Sequence, residues 1–441
     1  MPSLRPYPSY RKTDLPWLAQ IPAHWDVKRL KNALSRNDGG VWGGDPINND
    51  EGTIVLRSTD VGLGGEWNIS DPARRNLSAT EFQAGRLMAG DLLVTKSSGS
   101  ALHLGKTALV TPEIEDLNCC FSNFMQRLRA SDNFSPEYIY WIMNSTIGRE
   151  QLNYFGSTTT GLNNLTGTLM GKLFIAAPPL PEQQAIAAYL DHQTAKIDAL
   201  IAKKQRLLDL LAEQRAALIS QAVTKGLNSD VMMKDSGVTW LGQVPSHWEV
   251  KRNGSLFRQR DERGNPDLPL LNVSIHTGVS LRELSTDHVE QIASDWSTYK
   301  RACKGDIAFN KMRMWQGAVG VAPIDGLVSS DYTVAIPFNN VVSQYYEYLF
   351  RIDKYKIEIN KYSHGIVPDR NRLYWDQFKQ MLSIYPPFEE QKKITDYLDY
   401  QTKRLTALAT KVETAIERLR EYRAALISSV VTGKAQVKDE G

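Results

Sequence analysis

A chain of 441 residues exceeds one ordinary domain and sets an expectation of two or three. With 42% hydrophobic and 23% charged residues, it has the make-up of a globular protein with apolar cores. Its 52 basic and 49 acidic side chains leave a net charge of +3, which excludes a histone-like polycation, so any nucleic-acid affinity must come from local patches.

The first residues, MPSLRPYPSYRKTDLPW, lack the apolar centre of a signal peptide. No run of about 18 apolar residues suggests a membrane span. Of the cysteines Cys119, Cys120 and Cys303, the adjacent two seldom bridge each other, and none belongs to a Cys/His set with metal spacing. They read as buried hydrophobes in a reducing compartment, and a cytoplasmic location is expected.

In chain order, the first recognisable element is the opening W-L-A-Q-I-P-A-H-W-D-V-K-R, Trp17 to Arg29. Short apolar runs bounded by Gly, Asp and Ser follow and read as strands, among them Thr53–Leu56 and Asp91–Thr95. Pro178, Pro179 and Pro181 close this region, and Glu182 stands where the positive end of a helix dipole favours it. A long helix is expected next, with Ile186, Leu190, Ile197, Leu200, Leu207, Leu211 and Leu218 on its apolar stripe.

The plan then repeats. Trp240 to Arg252 reads W-L-G-Q-V-P-S-H-W-E-V-K-R, at an offset of 240 − 17 = 223. Strands are expected at Asp306–Asn310 and Tyr332–Ile336. The proline-led helix returns at 387 − 179 = 208, with Ile394, Leu398, Leu405, Leu408, Val412, Leu419 and Leu426 on its stripe. Gly226 and Gly433 lie just past the two helix ends and suit helix stops. The expected division is therefore 1–178 globular, 179–227 helical, 228–386 globular, 387–434 helical and 435–441 tail.

Each stripe must be buried. Either each helix covers its own globular region, or the two pair as an antiparallel coiled coil. The length, about 60 Å at 1.5 Å per residue, favours the pair. The fold class expected is α+β: two homologous globular regions separated by two long helices.

Two near-motifs raise catalysis and fail. Gly99 to Thr107 resembles a phosphate-binding loop but has five residues between its glycines where the loop has four. It reads instead as a loop leaving Lys106 free to meet a phosphate. Pro368-Asp369 followed by Glu390-Gln391-Lys392 mimics a metal-nuclease spelling, yet that chemistry needs its acids and lysine on adjoining strands, whereas Glu390 and Lys392 fall at a helix start. There is no N-P-P-[YFW] or D-P-P-[YFW] run, and the seven histidines form no metal pair. No catalytic, cofactor-binding or metal residue is assigned.

The repeated P-P-L-P-E-Q-Q-A-I-A-A-Y-L-D from Pro178 and P-P-F-E-E-Q-K-K-I-T-D-Y-L-D from Pro386 carry a resemblance across nearly the whole chain. G-D-L-L-V-T-K-S-S-G-S from Gly90, S-N-F-M-Q-R-L from Ser122 and G-S-T-T-T-G-L-N-N-L from Gly156 support it. The sequence resembles the specificity subunit of type I restriction–modification enzymes. The resemblance implies two target recognition domains, each reading half of a split double-stranded DNA site. It implies helices that set the gap and dock two modification subunits carrying S-adenosylmethionine to methylate adenine. Restriction (motor-nuclease) subunits using ATP and Mg²⁺ would complete the complex, and this chain would be non-catalytic. The second half departs from the pattern, with Asn310-Lys311-Met312-Arg313-Met314-Trp315 where the first has Lys-Ser-Ser-Gly-Ser.

Cations meet phosphates and polar side chains read base edges. The candidates in the first half are Lys96, Ser97, Ser98, Lys106, Thr158, Thr159, Thr160, Asn163 and Asn164. In the second they are Lys311, Arg313, Trp315, Gln316, His364, Arg370, Asn371 and Arg372. Asn suits adenine, and an Arg fork suits guanine. Trp17, Trp25, Trp240 and Trp248 belong to the shared openings and read as packing residues. The competing function is a helical scaffold that assembles partners without reading DNA.

Overall fold

A computed structural model describes residues 4–46, 48, 51–98, 100, 102–156, 163–282, 296–365 and 371–437. Two compact units emerge: Met1–Lys204 with Thr414–Gly441, and Gln205–Glu413. Each unit therefore takes a piece of both long helices, which run Leu180–Lys225 and Phe388–Val431.

The first unit is centred on a four-stranded antiparallel sheet in the order Leu34–Gly39, Met125–Ala130, Asp91–Thr95, Thr107–Leu109. The second repeats that order with Phe257–Arg260, Tyr332–Pro337, Ile307–Asn310 and Val319–Val321. The inner strands Asp91–Thr95 and Ile307–Asn310 are wholly buried, in keeping with their near-continuous apolar runs. The repeated Gly-Asp pair at the start of each has a structural task. Asp91 is held by Arg129 at 2.6 and 2.9 Å, and Asp306 by Arg260 at 2.7 Å. A carboxylate this deep is tolerable only when paired.

The two shared motifs are explained by each other. In the first unit Glu182 accepts from Tyr7 Oη at 2.7 Å and lies 3.0 Å from His24 Nε2. In the second Glu390 accepts from Trp248 Nε1 at 2.8 Å and lies 2.6 Å from His247 Nε2. The adjoining glutamines pin the globular part to the helix start. Gln183 accepts from Ser135 N and donates to Pro178 O; Gln391 accepts from Val342 N and donates to Pro386 O. The His-Trp opening and the Pro-x-x-Glu-Gln helix start are thus two sides of one contact. With Glu390 engaged there and Lys392 paired to Glu389 at 3.2 Å, the nuclease spelling has no nuclease geometry. Trp25 and Trp248 are buried beneath the openings, and Trp17 and Trp240 sit edge-on to Tyr154 and Tyr355.

Each unit's core unites the start of one long helix with the end of the other. In the first, Ile186, Leu190 and Ile197 share a core with Leu426, Ile427 and Val430. In the second, Ala222 and Val223 share one with Ile394 and Leu398. Start meets end in both, which is the antiparallel sense. The helices stop at Gly226 and Gly433, whose φ of +78° and +71° an L side chain rarely adopts. A Cβ on Gly433 would also strike Pro22 Cδ at 2.3 Å.

The buried stripe differs from the expected one. Buried or half-buried residues recur at strict 4-3 spacing: Leu190, Thr194, Ile197, Ile201, Lys204, Leu208 and Leu211 on the first helix, and Leu398, Thr402, Leu405, Ala409, Val412, Ile416 and Leu419 on the second. Leu200 and Leu408 are each 44% exposed and Leu207 39%, so these three do not belong to it. Two steps of three in succession, 194 to 197 to 200, turn about 120° off the stripe at 3.6 residues per turn. Leu218 and Leu426 stay with it, half-buried and buried.

Ile416, 3% exposed, therefore separates the two registers from Leu408. Ile416→Ala is expected to cost about 2–5 kcal/mol by cavity formation, and Leu408→Ala well under half of that. Urea denaturation of the full chain followed by circular dichroism checks this, and equal losses would restore the original stripe.

Candidate nucleic-acid interface

In each unit a buried central strand emerges into the segment that precedes the long helix. In the first unit Leu165 N donates to Lys96 O at 2.7 Å, and in the second Leu373 N donates to Lys311 O at 2.9 Å. Leu165 and Leu373 are 208 apart, while Lys96 and Lys311 share the 215 offset of Gly90-Asp91 and Gly305-Asp306. The structure thus sets Lys96 and Lys311 in equivalent places, a match the differing residues after them conceal.

Around Lys96, Ser97–Ser98 pairs antiparallel with Asn163–Asn164, bringing together two of the expected groups. Thr158, Thr159 and Thr160 lie outside the described residues. Two polar residues missed in the sequence join this edge. Asn37 Nδ2 donates to Gly167 O at 2.9 Å, and Gln126 Nε2 donates to Asn37 Oδ1 at 2.7 Å. Lys96 Nζ lies over Gly39, where a Cβ would come within 3.3 Å of it.

Around Lys311, His364 and Arg372 exchange backbone hydrogen bonds at 3.0 and 2.9 Å, closing the base of their loop. Both side chains are exposed. Asn371 Nδ2 donates to Asn360 Oδ1 at 3.0 Å, and Arg370 lies outside the described residues. Burial, then the neighbouring Lys300, lowers the Lys311 pKa, and Arg372 adds to it. The carboxylates of Asp331 and Asp261 act on Lys311 in the opposite sense, and its Nζ donates to Ser330 O at 3.2 Å, so two sequence-distant groups converge here in a setting of mixed charge. Arg313, also exposed, lines an open groove of about 450 Å³ with Asn272, Ser274, His276, Asn310 and Tyr332. Those five were missed. The alternation in Leu271-Asn-Val-Ser274, with its leucine and valine buried, was the available signal.

Three expected residues take other roles. Lys106 is 4% exposed, and its Nζ donates to Ser58 O at 2.8 Å and Val61 O at 2.5 Å, so it cannot reach a phosphate. Burial lowers its pKa, with Arg149 adding to the effect. The same bonds dispose of the phosphate-loop reading, since Thr107 is buried with its hydroxyl on Gly105 O. Trp315 donates its Nε1 to Met312 O at 2.9 Å and packs on the second unit's core, so its ring is no free stacking platform. Gln316 lines a different cleft, beside Arg351 and Tyr348, and not the groove of Arg313.

Among the described residues no group of acids, histidines and cysteines could hold a metal ion, and no helix is long and apolar enough to cross a membrane. Cys119 and Cys120 are buried free thiols; burial pushes their pKa up to about 12 and about 11.

Comparison with known proteins adds the family. A family model described as the type I restriction modification DNA specificity domain matches residues 74–209 and 245–418. The chain is 25% identical over 255 residues to the MjaX type I restriction enzyme specificity subunit of Methanocaldococcus jannaschii, spanning 55% of that protein's length. It is 20% identical over 354 residues to the StySPI specificity subunit of Salmonella potsdam, covering 78% of this chain and 74% of that one. Its fold is similar to a chain solved in work on complex assembly and conformational transition of the type I R-M system, with TM-score 0.64, 16% identity, and 93% and 98% of the two chains covered. The HsdS subunit from Thermoanaerobacter tengcongensis is also similar, with TM-score 0.53 and 18% identity over 94% of this chain and 98% of that one. With two matched regions, a duplicated α+β plan and two long helices, the chain belongs to the type I restriction–modification DNA specificity family, as a specificity subunit.

Proposed function

We propose that this chain reads a bipartite, asymmetric double-stranded DNA site, one half-site per unit. One observation carries the reading. Lys96 and Lys311 stand at the same place in the two units, while the residues that follow differ, Ser97-Ser98 in one and Met312-Arg313 in the other. A common cation serves the phosphate, which is the same everywhere. Unlike neighbours serve the bases, which are not.

The long helices, on this reading, pair along their length, set the gap between half-sites and dock two modification subunits. Those subunits hold S-adenosylmethionine and methylate adenine, and restriction subunits add ATP- and Mg²⁺-dependent cleavage. The chain itself performs no catalysis and works in the cytoplasm, where the DNA is.

Duplex binding measured across a salt series tests the assignment of the cations. Lys96→Ala and Lys311→Ala should each reduce the slope of log K against log salt by about 0.9 without changing the preferred sequence. Arg313→Ala should cost about 1–3 kcal/mol and relax preference in one half-site only. Duplex affinity that ignores salt would favour a scaffold that does not read DNA.

The spacer role has its own test. Seven residues inserted into each helix at matching positions keep the 4-3 register and lengthen the pair by about 10 Å. Mapping of methylated adenines should return unchanged half-sites with a wider gap, by up to about three base pairs at 3.4 Å each. Altered half-sites at the old spacing would refute it.

A further inference from the structure

Each unit has an open cleft between its globular part and the long helices. The cleft of the first measures about 920 Å³ and includes Tyr140, Asp191, Asp198 and Arg423 in its lining. The cleft of the second measures about 830 Å³ and includes Tyr348, Asp399, Arg215 and Arg351. Three of these residues recur at one interval: 348 − 140, 399 − 191 and 423 − 215 all equal 208. Asp191 accepts from Trp141 Nε1 at 2.9 Å and Asp399 from Tyr348 Oη at 2.7 Å, and Asp191, Asp399 and Arg215 all remain exposed, so burial in a core does not account for their repetition. Identical side chains thus stand at the lips of two clefts in halves whose middles have diverged.

One residue breaks the match. In the first unit Arg423 Nε lies 2.9 and 3.2 Å from the two carboxylate oxygens of Asp198, and its guanidinium carbon sits 5.9 Å from the Trp141 ring centre. The counterpart of Asp198, at 198 + 208 = 406, is Thr406, and that of Trp141 is Leu349. Among the described residues Arg215 has no carboxylate partner; the groups it influences are Tyr348 and a second guanidinium, Arg351. Arg351 is already engaged, bonded to Ile275 O and His276 O and 3.6 Å from Glu347. The linings differ in sign accordingly: four cations against three carboxylates in the second cleft, two against three in the first.

We propose that the two clefts are seats for one partner polypeptide taken twice, and that in the second seat an Asp or Glu of that partner occupies the place Asp198 fills in the first. The first seat carries its own carboxylate; the second draws one from the occupant. A small free anion does not fit the pattern, because the first cleft keeps the same Tyr, Asp and Arg while being net acidic. Arg is suited to the task through its fixed fork of donors. The inference rests on the docking of modification subunits proposed above and adds that their two seats are chemically unequal.

The test is calorimetric titration of the full chain with its modification subunit at low and high salt. Arg215→Gln and Thr406→Asp should each weaken one of two seats by about tenfold, the first by removing the cation and the second by filling its place from within. Arg215→Lys should recover only part of the tenfold loss, since it restores the charge without the fork, and Arg423→Gln should leave that seat unchanged. Arg215 and Thr406 are exposed, so the variants should fold, and circular dichroism verifies this. Two seats that bind as in the wild type despite Arg215→Gln and Thr406→Asp would overturn the inference and leave docking intact. No binding of the subunit to the unaltered chain would overturn both. Glutarate serves as a small-anion probe, followed by the Arg215 Nε–H resonance; saturable binding there would also overturn the proposal, in favour of a free anion.

Discussion

The whole architecture depends on one repeated step: a buried or half-buried side chain, apolar or small save for Lys204, every four, then three, residues along two helices of 46 and 44 residues. A helix of that length with one apolar face is unstable in water unless the face is covered. The 4-3 rhythm keeps the face continuous over many turns where a looser pattern would spiral away from its partner. Thr194 and Thr402 show how strict the rhythm is. Both are polar and both lie on the stripe, buried, with their hydroxyls turned back to the carbonyls of Leu190 and Leu398 at 2.7 Å. That internal bond removes the cost of burying a hydroxyl.

Around this pair the duplicated parts divide by task. What must be the same is the same: the Glu-Gln helix start, the His-Trp opening, the strand order and the paired aspartate at the head of the central strand. What the two units present at the outgoing end of that strand differs. A fold built in this way separates the residues under packing constraint from those free to change, since Lys96 and Lys311 share a backbone contact through Leu165 and Leu373 whatever side chains follow them. Within each unit the tryptophan, the glutamine and the aspartate of the constrained set are buried while its histidine is exposed and its glutamate half-buried, and the variable Ser97, Ser98, Met312 and Arg313 are half-buried or exposed.

Much of this was legible in the sequence because repetition is visible without coordinates. The helix ends, the strands at 53–56 and 91–95, and the packing role of the tryptophans followed from spacing and residue type. The failures have specific causes. Leu200, Leu207 and Leu408 looked like stripe residues because leucine is apolar, but each has a neighbour (Ile201, Leu208, Ala409) that holds the register. Lys106 looked free because lysine is usually solvated, yet the backbone carbonyls of Ser58, in the turn Ser58–Asp60, and of Val61, just past it, claim its ammonium. Trp315 looked like a reader because it stands beside Arg313, and only tertiary packing shows its ring turned to the core. The groove residues Asn272, Ser274 and His276 escaped notice because the strand Leu271–Ser274 and the turn after it lie far from any motif; the alternation marks an outward face, but not that Arg313 meets it.

One hydroxyl has a wider meaning. Tyr138 lies within hydrogen-bonding distance of Val431 O, 3.2 Å away, and of Ala176 O, 3.1 Å away; in the other unit two tyrosines share the work, Tyr345 on Val223 O and Tyr346 on Ile384 O. Val431 and Val223 stand in the closing turns of their helices, where carbonyls lack intrahelical donors. The globular part therefore finishes a helix that another stretch of chain began. A side chain without a hydroxyl at Tyr138 or Tyr345 would leave the Val431 or Val223 carbonyl without this donor in the last turn of its helix.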